Sequence, residues 1–338
     1  MVTIAIDAMG GDEGPQTIVK GAAKASLDTH SNLILVGDRS KIEAALNETK
    51  YDQRRIQIVH SDSEIPMNSK PKKALTDFPN ASLPVAARLV GQDSAADALV
   101  SAGNTGAVVL SCAKAFTRIE GVKRTALAAV VPTKRNRGPH SDPFSLILDV
   151  GATIRVSAED LVNFAAMGSS YASIISQNEA PQVALLSNGS ESNKGPPEIV
   201  EAHQLLQEQS QMNFIGNVEG VDLPKGIADV VVCDGFTGNV VLKMLEGVSE
   251  AVTDLAKYAY RRRLTWKLAF LLLSSGINRV KRITDWQQYG GAPILGFDQL
   301  CIKAHGRSSP RAIRNAIRVA EKCVNQDLAG RIKAQNLK

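Results

Sequence analysis

Residues 230–247 read VVVCDGFTGNVVLKMLEG. Three consecutive valines make the apolar, β-branched run that a strand buried on both faces favours. Asp234, Gly235, Phe236, Thr237, Gly238 and Asn239 then form a polar turn, and VVLKMLEG continues with helical spacing. The reading is strand, glycine loop, helix. Glycine lets a ligand approach the backbone, and a helix start offers free N–H groups with the positive end of the helix dipole. This stretch is therefore the first candidate for an anion site. An ordinary βα turn without a ligand fits the same residues.

Outward from this unit, the same alternation recurs. Met1–Asp7, Asn32–Val36 and Ile56–His60 read as strands, separated by helical stretches over Gln16–Leu27 and Ser40–Asn47. That βαβαβ order predicts a parallel sheet with right-handed crossovers. Residues 61–80 contain Pro66, Pro71 and Pro79 and read as a long loop or lid. Helix Ala81–Val90, strand Ala96–Ser101 and helix Val108–Phe116 follow. Strands Leu127–Val131 and Leu146–Val150 bracket a basic loop, Pro132–His140. Helix Glu159–Ser176, strand Gln182–Leu186, helix Glu198–Gln207 and strand Phe214–Val218 lead back to the starting stretch. Beyond Gly247 the helical pattern runs to about Asn278, and strand Leu300–Ala304 and helix Arg311–Asn325 close the chain. One α/β domain is expected over residues 1–330, with a helical segment protruding at about 248–282 and a tail at 331–338.

Hydrophobic residues are 44% and charged residues 22% of the 338, as in soluble globular proteins. Aromatics at 4% argue against binding single-stranded nucleic acid by stacking, and no nucleic-acid partner is expected. A net charge of +5 suits phosphorylated or acidic partners, or an anionic membrane surface. Cys112, Cys233, Cys301 and Cys323 are far apart without metal-ligand spacing, so reduced thiols in a cytosolic protein and no metal are expected. No signal peptide is visible. The apolar run Leu268–Leu273 is far short of the ~20 residues that span a bilayer.

The chemistry concentrates at strand ends. DAMGGD (7–12), SAGNTGA (101–107), SNGSESNKG (187–195), CDGFTGN (233–239) and KAHGRSS (303–309) are small, polar and glycine-bearing. Gathered on one edge of a parallel sheet, they line a cleft suited to phosphate or to a developing oxyanion. Lys194, Lys303 and Arg307 within these segments, and Lys243 just beyond the fourth, are the nearest candidate cations, and His305 is the candidate general acid or base. Asp7, Asp149 and Asp234 can also simply hold their loops by Asx-type bonds. Cys233 lacks an adjacent base. No Walker A loop, GxGxxG fingerprint or GxSxG elbow is present, and no cofactor is expected.

Taken in order, DAMGGD, SAGNTGA, LDVGA, CDGFTGNVVLK, YGGAPILG and KAHG resemble the bacterial phosphate acyltransferase family over essentially the whole chain. The resemblance implies a Rossmann-like three-layer α/β/α sandwich with a mostly parallel sheet, related to isocitrate and isopropylmalate dehydrogenases and to phosphotransacetylases. It implies transfer of a fatty acyl group from acyl carrier protein to inorganic phosphate, giving acyl phosphate for phospholipid synthesis. It also implies a cytoplasmic homodimer, peripherally membrane-associated, whose product passes to a membrane glycerol-3-phosphate acyltransferase. Read from the loop chemistry itself, the candidate catalytic residues are His305, Lys194, Lys303 and Asn239. The candidate phosphate- or substrate-binding residues are Asp7, Gly10, Gly11, Asn104, Thr105, Gly106, Asp234, Gly235, Thr237, Gly238 and Lys243. Two places depart from the family pattern. Thr76 and Phe78 stand where basic residues are usual, with Ala81-Ser82-Leu83 after them, and Ser187-Asn188-Gly189 replaces an Asn-aliphatic-Gly run.

Acyl transfer to phosphate needs an anion anchor, oxyanion donors and a proton for the leaving thiolate. Phosphate is itself the nucleophile, so no serine or cysteine intermediate is required. An acyl-CoA-dependent phosphotransacetylase and a non-catalytic carrier-protein or membrane scaffold are the alternatives. An isocitrate-dehydrogenase-type oxidoreductase needs a metal-binding aspartate cluster that the sequence does not assemble. Residues 258–282, basic at both flanks of an aromatic and aliphatic centre, suit a membrane interface or a dimer helix equally.

Overall fold

The computed structural model describes residues 1–137, 142–262, 264–276 and 290–336. Its first half runs β1 (Thr3–Asp7), α1 (Gly14–Asp28), β2 (Asn32–Gly37), α2 (Arg39–Asn47), β3 (Ile56–His60), α3 (Pro71–Asp77), α4 (Ser82–Gly91), β4 (Ala98–Ser101), α5 (Thr105–Ala115), β5 (Ala126–Arg137) and β6 (Asp142–Leu148). The second half continues with α6 (Ala158–Ser176), β7 (Val183–Leu186), α7 (Pro197–Glu208), β8 (Phe214–Val218), β9 (Val230–Val232), α8 (Gly235–Arg262), α9 (Leu264–Leu272), β10 (Ala292–Leu295), β11 (Leu300–Lys303), α10 (Pro310–Asn325) and α11 (Leu328–Asn336).

One sheet carries the strands in the order β3-β2-β1-β4-β11-β10-β5-β6-β9-β7-β8. The strands are apolar on both faces because both faces are covered. Ile4 and Ile6 of β1 enter one core with α1, α6 and α10, and Ala5 between them enters a second core with α4, α5 and α8. Leu33/Ile34, Val100/Leu99, Leu148/Ile147 and Val232/Val231 divide in the same way. The result is the expected three-layer α/β architecture with a mostly parallel sheet.

The expectation of loops on a single edge fails. β10 is antiparallel to β11 and to β5, and β5 is antiparallel to β6. Strand direction therefore reverses between β11 and β6. The ends of β1, β4 and β11 open on one edge, and those of β6, β7 and β9 open on the other. Hairpin pairing causes the reversal, and strand periodicity carries no trace of partner direction.

Local corrections are smaller. Residues 61–80 contain α3, which packs against α5, instead of being loop throughout. The basic loop is strand as far as Arg137, and its residues 138–140 lie outside the described ones. Residues 331–336 of the expected tail belong to α11. Tyr289 of YGGAPILG, residues 277–282 of the basic-flanked segment, Arg263 and the last two residues also lie outside the described set.

Candidate functional site

Register builds the first edge. Asp7 pairs with Ser101 across β1 and β4, and Ser101 pairs with Lys303 across β4 and β11. The three are last in their strands and share one face, so they form a row stepped by the inter-strand spacing of ~4.8 Å. Asp7 is 1% exposed. Its carboxylate accepts the hydroxyl of Ser82 from the start of α4 at 2.6 Å and that of Ser101 at 2.7 Å. Burial pushes its pKa above the ordinary value, and those hydrogen bonds pull the other way. Ser101 Oγ in turn accepts the Gly103 N–H at 3.0 Å, which shapes the turn into α5. Gly10 is glycine because a Cβ there would sit 2.5 Å from Asp7 Oδ2 and 2.7 Å from Gly103 N. Gly10 and Gly11 thus fit the β1 and β4 loops together. Asp12 N donates to Gly306 O and Ala304 N to Ser101 O, tying in the loop after β11.

Lys303 is 7% exposed and its ammonium donates to Ala304 O. Burial lowers its pKa to about 8, against the attraction of Asp12 and Asp7. His305 is depressed too, first by burial and then by the Lys303 charge. Its Nδ1 accepts the Arg307 N–H at 3.2 Å, which leaves the neutral ring's proton on Nε2. Lys243 and Glu246 of α8 are paired at 2.6 Å, and both charges reach His305. Helix α8 therefore leaves the far edge and crosses one face of the sheet to this one.

Asn104 is the N-cap of α5: its Oδ1 accepts the Ala107 N–H at 3.0 Å, and its Nδ2 donates to Met67 O at 2.7 Å. Among the described residues, no acceptor meets the N–H groups of Thr105 and Gly106, and Thr105 is exposed. The anion-ready helix start is that of α5, beside Lys303.

The starting stretch behaves differently. Asp234 Oδ1 accepts the N–H groups of Phe236 (3.0 Å) and Thr237 (2.9 Å), and its Oδ2 takes the Thr237 hydroxyl at 2.6 Å. Gly235 N donates to Thr153 O and Gly238 N to Asp234 O. The first turn of α8 is thus supplied with acceptors from the protein itself. Its glycines answer to packing: a Cβ on Gly238 would lie 1.9 Å from Asp149 O. Asp149, its pKa raised by burial, accepts backbone N–H groups from Leu127, Gly151, Ala152 and Thr153. In this structure Asp234 and Thr237 are engaged in capping α8, and Gly235 and Gly238 in close fit against Asp149. Asn239 lies on the same edge, its amide against Gly151. Lys194 sits in the β7–α7 loop, where Ser187 Oγ donates to its carbonyl at 2.9 Å.

One edge therefore gathers Asp7, Gly10, Gly11, Asn104, Thr105, Gly106, Lys303 and His305, with Lys243 reaching it from α8. Asn239, Asp234, Gly235, Thr237, Gly238 and Lys194 are on the other. Sequence reasoning missed Ser82 and the place of Ser101 beside Asp7. Strand parity places Ser101 on the Asp7 face only once the register is known. A cavity of about 300 Å³ lies elsewhere, lined by Ala96, Leu300, Leu328 and Ile332, and touches none of these residues. Among the described residues, no group of three or more His, Cys, Asp or Glu could hold a metal ion.

A family profile described as "Fatty acid synthesis protein" matches residues 2–331. The phosphate acyltransferase of Dictyoglomus turgidum is 40% identical over 329 residues, covering 97% of this chain and 96% of that protein. The phosphate acyltransferase of Halothermothrix orenii is 40% identical over 335 residues, covering 98% of each. Among solved structures, a phosphotransacetylase from Streptococcus pyogenes superposes with a TM-score of 0.64 at 15% identity, covering 96% of this chain and 94% of the other. That last likeness is one of fold.

Proposed function

The chain belongs to the fatty acid synthesis protein family, the phosphate acyltransferases, and from that premise we propose that it moves a fatty acyl group from acyl carrier protein to inorganic phosphate. The observation that carries the reading is Lys303, a buried ammonium of pKa about 8 beside the open N–H groups of Thr105 and Gly106. Phosphate rests at the start of α5, where backbone donors and a cation offset its charge. One phosphate oxygen attacks the thioester carbonyl; the new C–O bond forms, and the C–S bond breaks from the tetrahedral intermediate. His305, neutral at pH 7, offers its Nε2–H to the oxyanion. Lys303, with its pKa lowered to about 8, gives a proton to the leaving thiolate. The proton lost by hydrogen phosphate restores the ammonium, so the products are acyl phosphate and free thiol. Lys194 and Asn239 stand on the opposite edge of this chain, and this scheme gives them no step.

Purified protein incubated with palmitoyl-carrier protein, with and without phosphate, tests the reading. Phosphate-dependent release of free carrier protein together with acyl phosphate is expected. Release without phosphate, or no release from any thioester, rejects it.

A homodimer and a membrane surface complete the proposal. Phe236, Val240, Met244, Val248, Val252 and Leu255 are exposed at near-four-residue spacing along α8, a helix of 28 residues and about 42 Å. Such a stripe suits a second copy of the chain. Leu268, Leu271 and Leu272 of α9, and Leu273 just after it, are exposed and suit a lipid interface. No described helix is long and apolar enough to cross a membrane. Acyl phosphate, formed in the cytoplasm at that surface, would then pass to a membrane glycerol-3-phosphate acyltransferase. Sedimentation of Val252→Glu/Leu255→Glu tests the dimer, and an unchanged dimer excludes this stripe. Liposome flotation with Leu271, Leu272 and Leu273 made polar tests the surface, and unchanged flotation excludes it.

A further inference from the structure

Residues 66–73, PMNSKPKK, lie across the mouth of the first edge. Asn104 Nδ2 holds the strap by Met67 O at 2.7 Å and Ser69 O at 3.4 Å. The Pro71 ring covers Gly106, where a Cβ would meet its Cγ at 2.4 Å, and the Met67 methyl covers Gly306, next to His305. Lys70 is thus fixed between two residues that touch the start of α5. Lys70, Lys72 and Lys73 all face solvent. Lys73 is drawn to Asp77 at 4.0 Å, whereas Lys70 and Lys72 have no acidic partner among the described residues. Arg307, also exposed, rises from the loop on the other side of the Met67 contact. At positions 76 and 78 the chain has Thr76, exposed, and Phe78, partly buried against the second core. Positive charge therefore sits at the front of α3, nearest the opening, and not at its rear.

We propose that Lys70 and Lys72 form the docking patch for an acidic face of the carrier protein that delivers the acyl thioester to this opening. The inference rests on the carrier-borne donor of the preceding section. The two lysines point outward from the strap, while a phosphate-sized anion has nearer donors in Thr105, Gly106 and Lys303. Outward charge at a rim acts on a macromolecular partner by steering encounter and fixing orientation, and salt weakens it. Acidic Asp12 and Glu13, exposed on the β1 loop, bound the patch on that side and favour one orientation of the partner.

The test uses Lys70→Glu/Lys72→Glu, with Lys24→Glu/Lys114→Glu as a charge-matched control away from the strap. Binding of fluorescently labelled palmitoyl-carrier protein is read by anisotropy, and KM is measured for that donor and for palmitoyl-pantetheine, which has no carrier and no phosphate. At about 50 mM salt, Kd and KM for the carrier donor should rise at least about tenfold in the strap variant and stay within twofold in the control. At about 0.5 M salt the gap should shrink to within about threefold, because screening shortens the reach of the charges to a few ångströms. KM for palmitoyl-pantetheine should change less than twofold. An equal rise for palmitoyl-pantetheine overturns the proposal, since the lysines would then act on the reacting end. Unchanged carrier binding also overturns it, and so does loss of binding to phosphatidylglycerol vesicles with carrier binding intact. If the double reversal does not fold, Lys70→Gln/Lys72→Gln should still raise Kd at least about threefold. Wild-type protein that binds the carrier but forms no acyl phosphate sinks the transferase reading, while the anisotropy result still judges the docking patch.

Discussion

Replacing Lys303 by methionine should stabilise the protein while disabling it. The side chain is 7% exposed, and its pKa falls from 10.5 to about 8 with burial as the leading cause. At about 1.4 kcal/mol per pH unit, holding the charged form costs about 3 kcal/mol at any pH below 8. Methionine has similar volume and no charge, but it gives up the hydrogen bond to Ala304 O, worth about 1 kcal/mol. The expected net gain at pH 7 is therefore about 2 kcal/mol in equilibrium urea unfolding. The sign with pH follows from proton counting. The unfolded chain keeps the lysine proton up to 10.5, and the folded chain releases it from about 8. Between those values the unfolded state binds more protons, so wild-type stability gains a rising contribution with pH that Lys303→Met lacks. The same variant should lose about 10² in the rate of acyl phosphate formation, because a general acid is removed. A variant less stable than wild type at pH 7 by more than about 1 kcal/mol would refute the reasoning, because attraction to Asp7 and Asp12 would then outweigh desolvation. Identical pH slopes for the two proteins between 8 and 10 would refute it as well.

The pH profile of kcat/KM should be bell-shaped: the alkaline limb near 8 belongs to Lys303, and Lys303→Arg should move it upward. The acid limb should lie below the ordinary histidine value of 6.5, because burial lowers His305 and its protonation turns Nδ1 from acceptor to donor against the Arg307 N–H. Ser101→Ala should cost about 2 kcal/mol in urea unfolding and raise KM for phosphate, since one hydroxyl serves both the buried Asp7 carboxylate and the Gly103 N–H. Gly238→Ala and Gly247→Ala should diverge within one helix. The first places a Cβ 1.9 Å from Asp149 O and should abolish soluble yield. The second meets nothing within 4 Å and should raise stability by about 1 kcal/mol.

The fold was largely legible because a strand covered on both faces must be apolar throughout, and β9 and β1 declare it in VVV and IAI. Asp234 was legible as holding its loop by Asx-type bonds, since a short carboxylate reaches the N–H groups just beyond it, whereas Asn104, expected at the phosphate, is seen to cap α5 only in the structure. Which of the two helix starts stays open was not legible. Thr153 O and the Asp234 carboxylate fill that of α8, and Thr153 comes from a loop that sequence spacing does not place there. The reversal between β11 and β6 was hidden for the same reason, because alternation fixes which face a residue takes and not the direction of its neighbour.

By itself, then, the sequence determined the layers, the strand ends that bear chemistry and the residue types found there, all set by local periodicity and turn stereochemistry. Only the tertiary structure decided which loops meet. The Asp7–Ser101–Lys303 row exists through inter-strand register, and the Lys303 pKa of about 8 exists through burial. Both depend on residues nearly 300 positions apart in the chain, beyond the reach of any local pattern.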